Sequence, residues 1–372
     1  MNNIYFYMGA KVYFERGGIE KYLPEIKKYS KKVLIVSGKS FIFKSGLFEK
    51  ITGILLKQGI EYVSYPGADP EPDTENVDRG TELCIKEGCD CILAVGGGSA
   101  MDVGKAIAVV ATNGGSVKDY FGEMQYRNEP LPIIAIPTTC GTGSEVTRFA
   151  VIVDRSQNTK KTVSSEKIIP KLSILDPEVL ATLPIHLVVA TGMDAFSHAA
   201  ESYLAKRADF ISKMFARESL KILLKFIPQT KIEQDSLDIR ENLLLASLIA
   251  GFALNKTGTI IVHGMGYALT ILYDTHHGTA NALLLPYVFE YLKRNGYQEE
   301  MAELEHLWGN TEKLSDFVKR LGLPSRLRDI GVGKDVTEKL AELAVVGTQR
   351  SMKNMKTQMG RDDFKKIFES AW

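Results

Sequence analysis

The apolar run Cys91-Ile92-Leu93-Ala94-Val95 passes directly into Gly96-Gly97-Gly98-Ser99, and helical spacing follows from Met101 to Thr112. A short continuous apolar run suits a strand buried on both faces, and the glycines suit a tight turn into a helix. The same alternation surrounds it. Residues 33–36 read as a strand ending at Ser37-Gly38, and 48–59 as a helix. Residues 62–65 read as a strand, 74–87 as a helix stopped by Gly88, and 132–136 as a strand stopped by Pro137. Asp69-Pro70-Glu71-Pro72-Asp73 reads as a loop between elements. Together these predict a parallel α/β sheet with helices on both faces.

After Leu183-Pro184 the pattern changes. Long helical patterns cover 184–206, 210–226, 240–255 and 257–272, Pro184 suiting a first helical turn, and strand signals nearly vanish. The reading is therefore an α/β domain over 1–183 and a helical domain over 184–372, which fits 372 residues at roughly 150 per domain. The 46 basic and 45 acidic side chains leave a net charge of +1, so no basic surplus points to nucleic acid or a membrane surface. The N-terminus lacks a cationic start followed by an apolar core. The most apolar stretch, 243–254, is too short to span a bilayer and reads as a buried helix. Cys84, Cys89, Cys91 and Cys140 have neither a disulfide-framework nor a zinc-ribbon spacing, so reduced cysteines in a cytoplasmic protein are expected.

Glycines at a strand-to-helix turn let the backbone approach an anion, and the free N–H groups of the first helical turn point at it. A pyrophosphate is the natural ligand, although a tight turn without one would use the same residues. The turn is neither GxGxxG nor a Walker motif. A second turn, Pro137-Thr138-Thr139-Cys140-Gly141-Thr142-Gly143-Ser144-Glu145, is rich in hydroxyls that can bond phosphate or carboxamide groups. Two such turns at strand ends fit the crevice rule for open α/β sheets. The six histidines are His186, His198, His263, His276, His277 and His306. Asp194 and His198 are four apart on a predicted helix and share a face. His263 lies on a later helix beside Gly264, and His277 precedes Gly278. One carboxylate and three imidazoles suit Fe(II) or Zn(II), whereas a single helical histidine is more often core or surface.

In order along the chain stand Gly96-Gly97-Gly98-Ser99-x-x-Asp102, Pro137-Thr138-Thr139-x-Gly141-Thr142-Gly143-Ser144-Glu145, Gly192-x-Asp194-Ala195-x-x-His198-Ala199-x-Glu201, His263-Gly264 and His277-Gly278. With these motifs the sequence resembles the iron-containing (group III) alcohol dehydrogenases over nearly its whole length. The resemblance implies a dehydroquinate synthase-like fold: an N-terminal dinucleotide-binding domain, an all-α C-terminal domain and a metal in the cleft between them. It implies Asp194, His198, His263 and His277 as metal ligands and catalytic residues. It implies Gly96, Gly97, Gly98, Ser99 and Asp102 at the pyrophosphate turn, Thr138, Thr139, Thr142 and Ser144 at the second cofactor turn, and Lys160, with Lys161 adjacent, as a cofactor-contacting lysine. Two departures stand out. Tyr267 replaces a histidine that many members carry, and Glu71-Pro72 replaces Asn-Pro in a loop near the adenosine.

Many relatives have an Asp after the strand at 33–37. Here Gly38, Lys39 and Ser40 leave room and charge for a 2′-phosphate, which favours NADP(H), with NAD(H) the alternative. The expected activity is hydride transfer between NADP(H) and a small primary alcohol or aldehyde, with Fe(2+) as Lewis acid, or Zn(2+) in its place. The alternatives are a zinc-dependent polyol dehydrogenase of the glycerol type using NAD, a dehydroquinate synthase-like lyase, and a non-catalytic metal-stabilised binding protein. Phe149, Phe252, Leu254, Tyr267 and Tyr273 could line an apolar pocket for small aliphatic alcohols or diols, although residues of these types are more often ordinary core. The family commonly forms dimers, so a homo-oligomer acting on a small-molecule alcohol or aldehyde is expected.

Overall fold

A computed structural model describes residues 4–157, 159–308 and 312–372. Its strands are β1 (Lys11–Phe14), β2 (Lys32–Ser37), β3 (Glu61–Tyr65), β4 (Cys91–Gly96), β5 (Gly122–Glu123), β6 (Ile133–Pro137), β7 (Phe149–Asp154), β8 (Thr159–Ser164) and β9 (Leu172–Leu175). Six of them form an all-parallel sheet in the order β1-β9-β6-β4-β2-β3.

Side chains alternate across a strand, so one β2 run serves two cores. Val33 and Ile35, with Cys91, Leu93, Val95, Ile134 and Ile136, pack against Ile51 and Leu55 of helix Leu47–Lys57. Leu34 and Val36, with Ile92 and Ile133, pack against Val103, Ile107 and Val110 of helix Gly98–Asn113 and Val77 of helix Thr74–Glu87. Both faces of the sheet are covered, as its continuous apolar strands require.

Helix Thr74–Glu87 has the expected bounds. Asp73 and Asn76 form a reciprocal cap at its start, and Gly88, at φ +66°, ends it in the left-handed region. The helix expected from Met101 begins at Gly98, because the glycine turn itself forms the first helical turn. β1, β9 and the antiparallel β7–β8 hairpin, in a three-stranded sheet ordered β5-β8-β7, add to the strands read from sequence. Lys105, buried in helix Gly98–Asn113, ties Ser144–Phe149 to that helix. Its Nζ donates to the Ser144, Thr147 and Phe149 carbonyls at 2.6, 2.8 and 2.9 Å.

The second half is helical, with no strand among the described residues from Pro184 onward. Helix Ile185–Leu204 is buried without a break from Val188 to Leu204, so helices surround it. Pro184 stands just before this helix at ψ 138° rather than in its first turn. Helix Leu237–Thr257 ends at Gly258 (φ +72°), and helix Ile261–Tyr273 begins after a 108° bend, so the helix expected from Thr257 starts later. Helix His277–Arg294 follows. Among the described residues no single helix is long and apolar enough to cross a membrane.

By packing, the chain divides into two compact units. Residues Met8–Thr139 and Ser144–Leu183 form the sheet unit, and Pro184–Trp372 form the helical unit. Two short pieces join the helical unit, the segment ending at Tyr7 and the segment Cys140–Gly143. Asn255 Nδ2 and Lys256 Nζ donate to the Tyr7 and Tyr5 carbonyls at 3.1 and 2.5 Å. Gly141 has no room for a side chain, since a Cβ there would lie 2.5 Å from the Thr191 carbonyl oxygen.

Candidate metal centre and cofactor turns

Asp194 lies on the buried helix Ile185–Leu204, His263 on helix Ile261–Tyr273 and His277 at the first position of helix His277–Arg294. Their ligand atoms all lie within 4.8 Å of one another. His263 Nε2 is 3.6 Å and His277 Nε2 3.8 Å from Asp194 Oδ1. His198, one turn after Asp194, flanks this group. Its ring stacks on His263 at 4.4 Å, and its Nδ1 is 3.9 Å from Asp194 Oδ2. His186, His276 and His306 are not part of the group.

The surroundings orient these rings. Glu201 is fully buried on the Asp194 helix, and it accepts from the Val262 N–H at 2.7 Å and from His263 Nδ1–H. That bond puts the imidazole proton on Nδ1 and turns Nε2 toward Asp194. His263 Nε2 is buried and has no hydrogen-bond partner among the described residues. An unpartnered imidazole nitrogen beside a carboxylate and a second imidazole fits a divalent cation with nitrogen and oxygen ligands. His198 Nδ1 bonds the Gly141 carbonyl at 3.1 Å. Asn281 Nδ2 lies 3.0 Å from Asp194 Oδ1 and 3.1 Å from His277 Nε2. Tyr267 stacks on His277 with centroids 5.7 Å apart.

Charge follows the geometry. Burial is the largest influence on the Asp194 carboxyl and pushes it up, but His198, His277 and His263 together hold it well below the usual carboxylate range. Burial pushes His198 down. Burial also lowers His263, yet Glu201 and Asp194 outweigh it and push the ring up to about 9. Two carboxylates thus draw positive charge to this ring, which a divalent cation at Nε2 would supply in place of a proton.

Sequence reading missed the roles of Glu201 and Asn281, although their spacing held the signal. Asp194, His198 and Glu201 follow i, i+4, i+7 on one helix, and His277 and Asn281 follow i, i+4 on another. The Gly141 carbonyl carries no residue-type signal at all.

The residues expected at the cofactor fall as follows. Gly96 ends β4, Gly97 precedes helix Gly98–Asn113, and Gly98 and Ser99 open it without a side-chain cap. The Thr138 N–H donates to the Gly96 carbonyl at 2.9 Å, and Thr139 lies against Gly97, 3.2 Å from where a Cβ would stand. Asp102 accepts from Ser144 Oγ and the Val151 N–H, both at 3.1 Å, and so ties the second turn to β7. Burial pushes Asp102 up to about 6 against the pull of Lys105. Thr142 belongs to the piece that packs with the helices. Gly38, Lys39 and Ser40 follow β2, and Lys39 pairs with Asp69 at 2.5 Å. Lys160, on β8, pairs with Glu71.

The sheet unit thus carries a glycine turn at the end of β4, and the helical unit holds an Asp/His cluster whose donor set suits a divalent metal. The family model for iron-containing alcohol dehydrogenases matches residues 9–177, and that for the C-terminal part of the Fe-containing alcohol dehydrogenase family matches residues 188–372. The chain belongs to the iron-containing alcohol dehydrogenase family and is an oxidoreductase acting on CH–OH groups. It is 38% identical to the 1,3-propanediol dehydrogenase of Citrobacter freundii, covering 85% of each chain. It is 33% identical to the NAD-dependent methanol dehydrogenase of Bacillus methanolicus, covering 88% of this chain and 90% of that one. An alcohol dehydrogenase from Oenococcus oeni has the same fold, with a TM-score of 0.92, 31% identity and full coverage of both chains.

Proposed function

We propose that this chain transfers hydride between NADP(H), or NAD(H), and a small primary alcohol or aldehyde, with Asp194, His198, His263 and His277 holding Fe(2+). The observation that carries it is the Asp194–His263–His277 cluster, with its ligand atoms within 4.8 Å and an unpartnered His263 Nε2. A metal held by these residues would supply Lewis-acid polarisation of an alcohol or carbonyl oxygen, and a bound nicotinamide would supply or accept the hydride. The protein's own part is orientation. Glu201 fixes the tautomer and angle of His263, the Gly141 carbonyl fixes His198, and Asn281 spans Asp194 and His277. Gly97, Gly98 and Ser99 offer free N–H groups to the pyrophosphate, with Thr138 and Thr139 beside them and Asp102 and Ser144 as the frame.

The open Gly38-Lys39-Ser40 end of β2 supports NADP(H). The printed cofactor of the Bacillus methanolicus relative supports NAD(H) as the second choice. The names of the relatives support short alcohols and diols as substrates. Four buried free cysteines support a cytoplasmic protein. We also propose a homodimer, for which light scattering should give about twice the 41.2 kDa chain mass.

The test is anaerobic purification and chelation, followed by butanal reduction with NADPH and NADH, with and without added Fe(II). Activity that returns with Fe(II) supports the reading. Equal activity in demonstrably metal-free protein overturns it.

A further inference from the structure

This inference rests on the dinucleotide reading above and concerns which dinucleotide the sheet unit accepts. In an open parallel sheet, a carboxylate at the end of the strand beside the glycine-turn strand accepts the ribose 2′-hydroxyl and repels a 2′-phosphate. Here that strand is β2, where Ser37 stands in register with Val95, one residue before Gly96. Gly38, Lys39 and Ser40 follow, with no acid among them.

The fold brings an acid to the same place from the loop after β3. The Ala68 N–H donates to the Ser37 carbonyl at 3.1 Å, and the Ala68 carbonyl is 3.7 Å from where a Gly38 Cβ would stand. Asp69 reaches back to Lys39, with Oδ1 2.5 Å from Nζ. Asp69 Oδ2 accepts from Asn76 Nδ2 at 3.2 Å. Asn76 is itself buried and accepts from the Asp73 N–H at 3.0 Å, so the carboxylate is held by the capped start of helix Thr74–Glu87. The ammonium of Lys39 keeps the Asp69 carboxyl below the usual carboxylate range, so it is charged at neutral pH. The pair is open to solvent, with Lys39 68% and Asp69 34% exposed, so an incoming anion can reach it.

We propose that Asp69 sets the discrimination between NADP(H) and NAD(H) in this chain: its carboxylate engages Lys39 and disfavours a 2′-phosphate at the Gly38 end of β2. A phosphate there must take Lys39 from Asp69 and then lie beside the carboxylate it displaced. At separations well inside the ~8 Å Debye length this repulsion survives physiological salt. With Asp69 present, NAD(H) competes at a site whose β2 residues alone would select NADP(H). Lys39 is exposed, so its pair with Asp69 contributes little to stability, and Asp69→Asn keeps an oxygen that can accept from Asn76 Nδ2.

The experiment measures dissociation constants of the metal-loaded protein. Nicotinamide fluorescence reports NADPH and NADH, and calorimetry reports 2′,5′-ADP and 5′-AMP. The variants are Asp69→Asn and, as a second side chain at the same position, Asp69→Ser, each checked by circular dichroism. In both, NADPH and 2′,5′-ADP should bind about tenfold more tightly, while NADH and 5′-AMP bind as before or more weakly. Wild-type protein that binds both cofactors, with a ratio unchanged in the two variants, overturns the role of Asp69 alone. Wild-type protein that binds neither overturns the dinucleotide reading and this inference with it.

Discussion

Glu201 has no solvent-exposed surface, yet it takes two hydrogen bonds and aims one of the candidate ligands. Glu201→Gln should weaken metal binding by roughly 10- to 100-fold, read as the dissociation constant in a competition with a fluorescent chelator. His263→Ala should lose metal by mass spectrometry and activity by orders of magnitude, with unchanged circular dichroism. Retained metal with normal turnover would remove His263 from the ligand set. A different residue contributes to the pH dependence of stability. Burial pushes the Glu145 carboxyl up to about 7 from an ordinary value of 4.5. Between those values the folded chain binds more protons than the unfolded chain, so its stability falls as pH rises. At 1.36 kcal/mol per pH unit the loss approaches roughly 3 kcal/mol. Urea unfolding at pH 5 and pH 8 should show that loss in the wild type relative to Glu145→Gln. A wild-type-minus-variant difference that stays flat would contradict it.

Among the elements, the contact between helix Ile185–Leu204 and helix His277–Arg294 sets the span from Asp194 to His277. Gly278 makes that contact, since a Cβ there would lie 2.2 Å from the Ala190 carbonyl oxygen. Gly278→Ala should cost about 1–3 kcal/mol by overpacking and should also weaken metal binding, because His277 moves with its helix. Gly53→Ala, in helix Leu47–Lys57 where a Cβ meets nothing within 4 Å, should instead raise the melting temperature through helix propensity. The same scale shows why some elements were legible in the sequence and others were not. Helix Thr74–Glu87 carries a cap and a glycine stop at its ends, and β2 and β4 are unbroken apolar runs, so each announces itself locally. The β7–β8 hairpin includes the polar run Thr159–Thr162 and is defined by its pairing, and β1 is a partly exposed edge strand, so neither has a strong local pattern. The imidazoles were legible because histidine is scarce and the spacing is helical. Asn281 carried a signal only in its i, i+4 spacing from His277, and the Gly141 carbonyl carried none, because a peptide oxygen looks the same wherever it occurs.

For the molecule as a whole, every residue of the candidate metal cluster belongs to the helical unit. Binding to folded protein alone stabilises it by about 2.7 kcal/mol at a hundredfold excess over the dissociation constant. Chelation should therefore speed hydrogen exchange in helices Ile185–Leu204, Ile261–Tyr273 and His277–Arg294 and leave β2, β4 and β6 unchanged. Uniform loosening of both units would contradict that local accounting.

The four residues Cys140–Gly143 give this arrangement a practical edge. They lie more than forty positions before the helices, yet they pack among them, and one of their carbonyls holds His198. A hybrid enzyme joined at Leu183/Pro184 from two parents would inherit its imidazoles from one and the anchor of His198 from the other. Exchange of sheet units within such a scaffold thus calls for a discontinuous graft, in which this tetrapeptide travels with the helices it serves.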